Sequence, residues 1–281
     1  MIEGFSTYTG GDFLAFYALL VLGAVVAGVW LPGFLRSDGA NRRVSDRYDM
    51  AYLVGGPRRV TETALAQLFG LGAIGAAADR KMRVLRQEGA ENALEKDVLR
   101  KPGDFGLTEA HKTVSPYLED IEARLTRDGL LLDKGERMQL RIVSVLPYLA
   151  VLAVGWYRRS AGVAEGEPVG YLTALMAVAA VFGLIRLLKL DPRTRGGLAA
   201  VAEGRAVSKR LKSAPTGPEM GYGVALFGTA ILAGTPYSEL HAMRQAASGG
   251  DGGYTGDGGD SGGSDGGCGG GCGGGCGGCG G

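Results

Sequence analysis

The chain has 281 residues and nearly equal numbers of basic and acidic side chains, 30 against 29, for a formal net charge of +1. That balance gives no electrostatic reason to propose nucleic acid as a partner. Residues 249–281 hold four acids and no Lys or Arg, which leaves +5 on the remainder, gathered beside apolar segments.

The first element is the uncharged run at residues 13–31, FLAFYALLVLGAVVAGVWL. At 1.5 Å per residue it spans roughly 28 Å, close to the hydrocarbon thickness of a bilayer. A signal peptide needs a positive n-region and a small-residue cleavage site. Here the flank carries only Glu3 and Asp12, and the run ends in Trp30-Leu31-Pro32, so an uncleaved anchor is expected over residues 13–35. Gly23/Ala27 and Ala24/Gly28 form small-x-x-x-small pairs suited to close helix packing, within the chain or between copies in a homo-oligomer.

Residues 36–141 come next, enough for one small domain. Gly55-Gly56-Pro57 reads as a turn, with Pro57 opening a helix whose apolar face is Val60, Ala64, Leu65 and Leu68. Gly70 and Gly72 close that helix. Residues 73–78 and 82–85 then read as a hairpin about Asp79-Arg80-Lys81. A short helix near residues 92–100 places Leu94, Val98 and Leu99 on one face. Ser115-Pro116 reads as a second helix start, with Leu118, Ile121 and Leu125 on its apolar face and Gly129 at its end. Residues 130–132 and 138–140, about Asp133-Lys134-Gly135, read as a second hairpin. The expectation is a small α+β insert made of a duplicated, winged-helix-like helix-plus-hairpin unit. Neither helix carries the basic recognition face DNA requires, because Glu119, Asp120 and Glu122 line the second. A protein partner is the expected use of such a module.

Two further uncharged runs follow, at residues 142–157 and 169–185, joined by a short link. Trp156, Tyr157 and Tyr171 sit at their facing ends, as interfacial aromatics do. The pair reads as an antiparallel hairpin of spans (142–157 and 169–188), with Pro147 kinking the first. Ala174, Ala177, Ala180 and Gly183 offer a small-residue face on the second. Arg186, at the end of that span, can snorkel to the headgroups. The fold class expected is therefore mainly α, with about three transmembrane helices. Residues 189–248 read as a helical segment. Its apolar run at 221–235 is too short and glycine-rich to decide between a buried helix, an interfacial helix and a fourth span. Lys and Arg crowd the flanks after the first and third spans and are absent before the first. By the positive-inside rule the N-terminus lies outside, and the insert and tail lie in the cytoplasm of a multi-pass cell-membrane protein.

Residues 249–281 read as a disordered tail, with nothing apolar to bury. All four cysteines, Cys268, Cys272, Cys276 and Cys279, stand there among glycines. Four thiols so close could wrap a soft metal ion such as zinc, although the C-x3-C-x3-C-x2-C spacing departs from paired C-x2-C knuckles. Cysteine modification is the other chemistry open to them. No nucleotide-binding, nucleophile-elbow or metalloprotease motif appears, and the two histidines, His111 and His241, read as solvated. No Asp, Glu or His lies in the three spans, which leaves no intramembrane proton or ion relay. The expectation is a non-enzymatic protein without a bound cofactor.

The anchor at 13–31, the Gly55-Gly56-Pro57-Arg58-Arg59 helix-hairpin region, the paired spans over 142–185 and the Gly/Cys-rich end at 266–281 together resemble an uncharacterised bacterial membrane-protein family, frequent in actinobacteria. The resemblance covers most of the chain. It implies this arrangement of spans and insert, and no activity or catalytic residue.

Overall fold

The computed structural model describes residues 10–165, 169–213 and 215–249. Three of its helices are long and apolar enough to cross a membrane: α1 (Gly10–Leu35), α5 (Lys134–Glu165) and α6 (Gly170–Leu188). They pack as a bundle around Tyr17, Val21, Ala24, Tyr148, Val151, Leu172 and Ala179. α1 and α6 both run antiparallel to α5. Tyr17 in α1 donates its hydroxyl to the Val151 carbonyl at 3.1 Å, while Gly28, three turns on, lies against Tyr148, further back along α5. Gly183 of α6 meets the same tyrosine.

Close packing depends on the missing side chain at Gly28. A Cβ there would stand 2.6 Å from the Tyr148 ring. Of the two small-residue pairs in α1, only Ala24/Gly28 faces the bundle; Gly23 has nothing within 4 Å. On α6 the packed face is Leu172, Ala179 and Gly183, and Ala174, Ala177 and Ala180 point outward. Outward positions also carry Leu19, Leu22, Leu146, Leu149, Val181 and Leu184, the surface a hydrocarbon solvent accepts.

The three spans leave the bundle on the same side, and there the rest of the chain forms a head. α2 (Arg47–Gly70) is capped by Asp46, whose carboxylate accepts from the backbone N–H of Tyr48 and Asp49. The helix breaks at Gly56, whose φ of +69° and ψ of −160° suit glycine, and restarts at Pro57, as the turn expected there requires. The helical residues before the break were not foreseen. The Leu71–Ala73 amides fold back onto the last turn of α2, with Gly72 in the left-handed region. β1 (Ile74–Ala77) and β2 (Lys81–Val84) pair antiparallel in the register Ile74↔Val84 to Ala77↔Lys81, about the expected turn. α3 (Ala93–Leu99) buries Leu94, Val98 and Leu99.

Two expectations are corrected further on. α4 (Leu107–Arg127) begins eight residues before Ser115, so Pro116 lies inside the helix. The carbonyl its missing N–H would have engaged, on Lys112, is at an exposed position where water can serve it. The second hairpin does not form. Residues 134–140 are the opening turns of α5, and among the described residues the helix-plus-hairpin unit occurs once. Asp133 and Glu136 explain the difference. The Glu136 carboxylate accepts from the Asp133 N–H at 3.2 Å, and that of Asp133 from the Gly135 N–H at 3.3 Å, a capping box that starts a helix. α5 then continues through Pro147 without a break.

After α6 the chain returns to the head as α7 (Arg195–Val207), α8 (Met220–Phe227) and α9 (Ser238–Gly249). The apolar run at 221–235 becomes α8, which stops at Gly228 (φ +84°), and a 3-10 turn at Thr229–Leu232. Eight helical residues span about 12 Å, far short of a bilayer. Val224, Ala225, Leu226 and Leu232 are instead buried in the same core as Val60, Leu65, Leu68, Leu99 and Leu125. Residues 36–133 and 189–249 therefore build one head with a single core, where the sequence suggested an insert and a separate segment.

Candidate functional site

Two places in the head concentrate the chemistry: the junction where it meets the bundle, and a polar knot on α2.

The junction is held mainly by backbone. The Ala40 N–H donates to the Gly129 carbonyl, the Thr194 and Leu132 N–H groups to the Leu130 and Pro192 carbonyls, and the Arg195 and Gly196 N–H groups to the Ser37 and Asp38 carbonyls. Thr194 adds its hydroxyl to Gly129 at 2.8 Å and caps α7 at Gly197. Three chain segments, the exits of α1 and α6 and the strand-like link between α4 and α5, are thus laced together. Glycines permit this approach. A Cβ on Gly196 would stand 2.2 Å from the Ala40 carbonyl oxygen, and one on Gly197 2.2 Å from that of Leu130. Beside them Asp191 accepts a bidentate pair of bonds from Arg193 and lies 3.7 Å from Arg36. Burial works against ionisation of Asp191, but bonds from Arg193 and the Arg36 charge hold its carboxyl below the usual range.

The polar knot lies on the second half of α2, which is buried all round because α4 covers one side and α8 and α9 the other. Thr61, Glu62, Thr63 and Gln67 consequently sit inside the protein. Glu62 is 3% exposed and reaches Arg244 of α9 at 2.6 Å and Arg59 at 3.7 Å. Burial pushes its carboxyl up, against the lowering influence of Arg59, Arg244, Arg58 and His241. Glu62 Oε2, Thr63 Oγ1 and Gln67 Oε1 have no hydrogen-bond partner among the described residues. Across α2, Asp49 makes a bidentate pair with Arg124 of α4; burial raises its carboxyl even so. Tyr48 bonds Glu95, which is fully buried, and Tyr52 bonds Glu122 at 2.8 Å.

Both histidines belong to this region, which corrects the expectation that they are solvated. His111 Nδ1 lies 2.9 Å from the Thr61 hydroxyl, and His241 Nδ1 3.1 Å from that of Thr229. Desolvation, then the nearby Arg58 charge, lowers the His111 pKa and favours the neutral ring. Helical spacing could have signalled this, since Ala110, His111 and Val114 fall on the face of α4 turned to α2. Thr61, at 2% exposure, is closed to any substrate, so the Thr–His contacts serve packing.

The cysteines proposed as metal ligands, Cys268, Cys272, Cys276 and Cys279, lie outside the described residues. Among the described residues no cluster of three or more His, Cys, Asp or Glu side chains could hold a metal ion. No family model matches the chain, and no curated protein or solved structure is detectably similar to it.

Proposed function

We propose that the protein is a non-enzymatic membrane scaffold: the bundle anchors it, and the winged-helix-like hairpin side of the head presents a surface to a protein partner. The observation that carries this reading is the junction. Backbone hydrogen bonds from three segments fix the head's orientation to the bundle, as a platform requires and a tethered soluble domain does not. Lys and Arg placement supports a cytoplasmic head with the N-terminus outside, the layout that the resemblance to the actinobacterial membrane family also implies. A photocrosslinking side chain placed at Leu85, which is 61% exposed beside the hairpin, tests the reading in native membranes. The expected result is one discrete adduct with another polypeptide. Absence of any adduct from Leu85, Arg80 and Val207 alike would remove the partner from the account.

The cysteine spacing favours a second reading, in which Cys268, Cys272, Cys276 and Cys279 bind a soft metal or carry a modification. Purified protein is then expected to retain zinc or another soft metal that the variant with all four cysteines replaced by serine lacks, or to carry a mass increment that the variant lacks. Equal metal content and unmodified mass in both would discard it.

A further inference from the structure

We propose that Arg186 is the centre of a binding site for the phosphate headgroup of an anionic phospholipid, in the leaflet on the head's side of the membrane.

The argument starts from Pro32. In a helix the carbonyl of residue 28 accepts from the N–H of residue 32, and proline has none. The Gly28 carbonyl is therefore orphaned inside α1, at a depth where water is scarce. Arg186 of α6 answers it, donating its Nε–H at 2.7 Å. That bond fixes the guanidinium in the groove between α1 and α6 rather than leaving it to extend freely.

It also leaves four of the five guanidinium N–H donors uncommitted to the carbonyl. Among the described residues no carboxylate lies within ion-pair distance of Arg186, so none of them compensates its charge. An ionised group in a spanning helix needs an anionic or strongly polar partner. The depth matches a lipid phosphate. α6 has 19 residues, about 28 Å, and Arg186 sits two residues from its end, at the edge of the hydrocarbon.

The surroundings fit a lipid on both sides of that boundary. Phe182 lies one turn toward the bilayer centre on the same face of α6, and Leu31 and Leu35 follow Gly28 on α1; all three are exposed and offer acyl-chain contact. Guanidinium binds phosphate through paired N–H donors, which an ammonium cannot reproduce. Charge complementarity thus selects an anionic phospholipid over a neutral one.

The test uses the full-length protein in nanodiscs of phosphatidylcholine containing phosphatidylglycerol, with retained lipid counted by native mass spectrometry. Wild type is expected to keep one phosphatidylglycerol with about fivefold preference over phosphatidylcholine, the value of one interfacial cation. Arg186→Gln should abolish that preference and Arg141→Gln, at the exposed start of α5, should keep it. If Arg186→Gln does not fold, Arg186→Lys decides: it retains the charge without the paired donors, and the preference should fall. No preference in wild type, or an unchanged one in both Arg186 variants, would overturn the proposal and leave Arg186 as an internal tie between α1 and α6.

Discussion

Gly196→Ala will separate the head from its fixed seat on the bundle. The added methyl would lie 2.2 Å from the Ala40 carbonyl oxygen and 2.8 Å from its carbon, both backbone atoms held in the junction. No side-chain rotation relieves such a clash. Either α7 moves, losing the 2.7 Å bond from the Gly196 N–H to Asp38, or the 37–40 segment moves, losing the bond from Ala40 to Gly129. Overpacking alone costs typically 1–3 kcal/mol, and a lost backbone bond adds to it, so about 3 kcal/mol is expected. Gly135→Ala is the comparison. Its Cβ would meet only the Asp133 carboxylate, at 3.6 Å, in the first turn of α5, and its effect should stay within about 0.5 kcal/mol. Unfolding of both variants in detergent measures the difference. New proteolytic cleavage between residues 37 and 40 in Gly196→Ala would place the loss at the junction.

The second large effect is expected at Arg244→Met, with a characteristic pH dependence. Arg244 closes α9 over α2, and its guanidinium is the nearest charge to the Glu62 carboxylate. Removing one partner from a fully buried pair costs roughly 3–5 kcal/mol. Arg244 is 31% exposed and Arg59 remains beside Glu62, so about 2 kcal/mol is expected at pH 7.5. Burial has already raised the Glu62 pKa above its ordinary 4.5. The folded protein thus holds that proton more tightly than the unfolded chain does. The stability this confers is complete below 4.5 and is lost as pH rises through the folded value. Loss of the Arg244 charge raises the folded value further, so the deficit of the variant should shrink as pH falls from 7.5 toward 5. Wild type measured alongside removes the contribution of other groups. Adding Glu62→Gln to Arg244→Met should restore part of the loss at pH 7.5, because the buried carboxylate that lost its nearest charge partner is then gone. A deficit that is the same at both pH values, or no rescue by Glu62→Gln, would mean that Arg244 acts through its aliphatic stem.

How far the sequence revealed this fold follows from which signals are local. Spans are local. An uncharged run at residues 13–31 announces α1 with no help from its neighbours. The same test underestimates α5, which begins at Lys134, because its opening turns carry Lys134, Glu136, Arg137 and Arg141 and so break the uncharged run. The hairpin about Asp79 and the stops at Gly72 and Gly129 are also local, each fixed by a left-handed residue. Leu130-Leu131-Leu132 resembles a hairpin strand only in isolation. Those leucines are buried by pairing with the 192–194 segment, a contact some 60 residues distant that no pattern near them records. The Asp133-x-x-Glu136 capping box was the available sign that a helix follows.

The polar knot was hidden for a related reason. A helical face of Val60, Ala64, Leu65 and Leu68 implies one covering partner, and α4 supplies it. The second cover, α8 and α9, comes from beyond two spans, and only its arrival buries Glu62, Thr63 and Gln67. The run at 221–235 reads as a membrane candidate in isolation because a doubly covered core helix and a lipid-facing one have the same composition. Gly221 was the discriminating residue: a Cβ there would stand 2.6 Å from Gln67 Oε1, so the run is shaped to fit α2.

Such a head requires residues 36–133 and 189–249 to lie on the same side of the membrane. With the four tail cysteines replaced by serine, single cysteines at Arg80→Cys on the hairpin and Val207→Cys on α7 can be probed with a membrane-impermeant maleimide. Both should stay unlabelled in intact cells and label together after permeabilisation, while Ser160→Cys, at the far end of α5, labels without it. Labelling of Arg80→Cys and Val207→Cys from opposite sides of the membrane would contradict the single head and, with it, the scaffold.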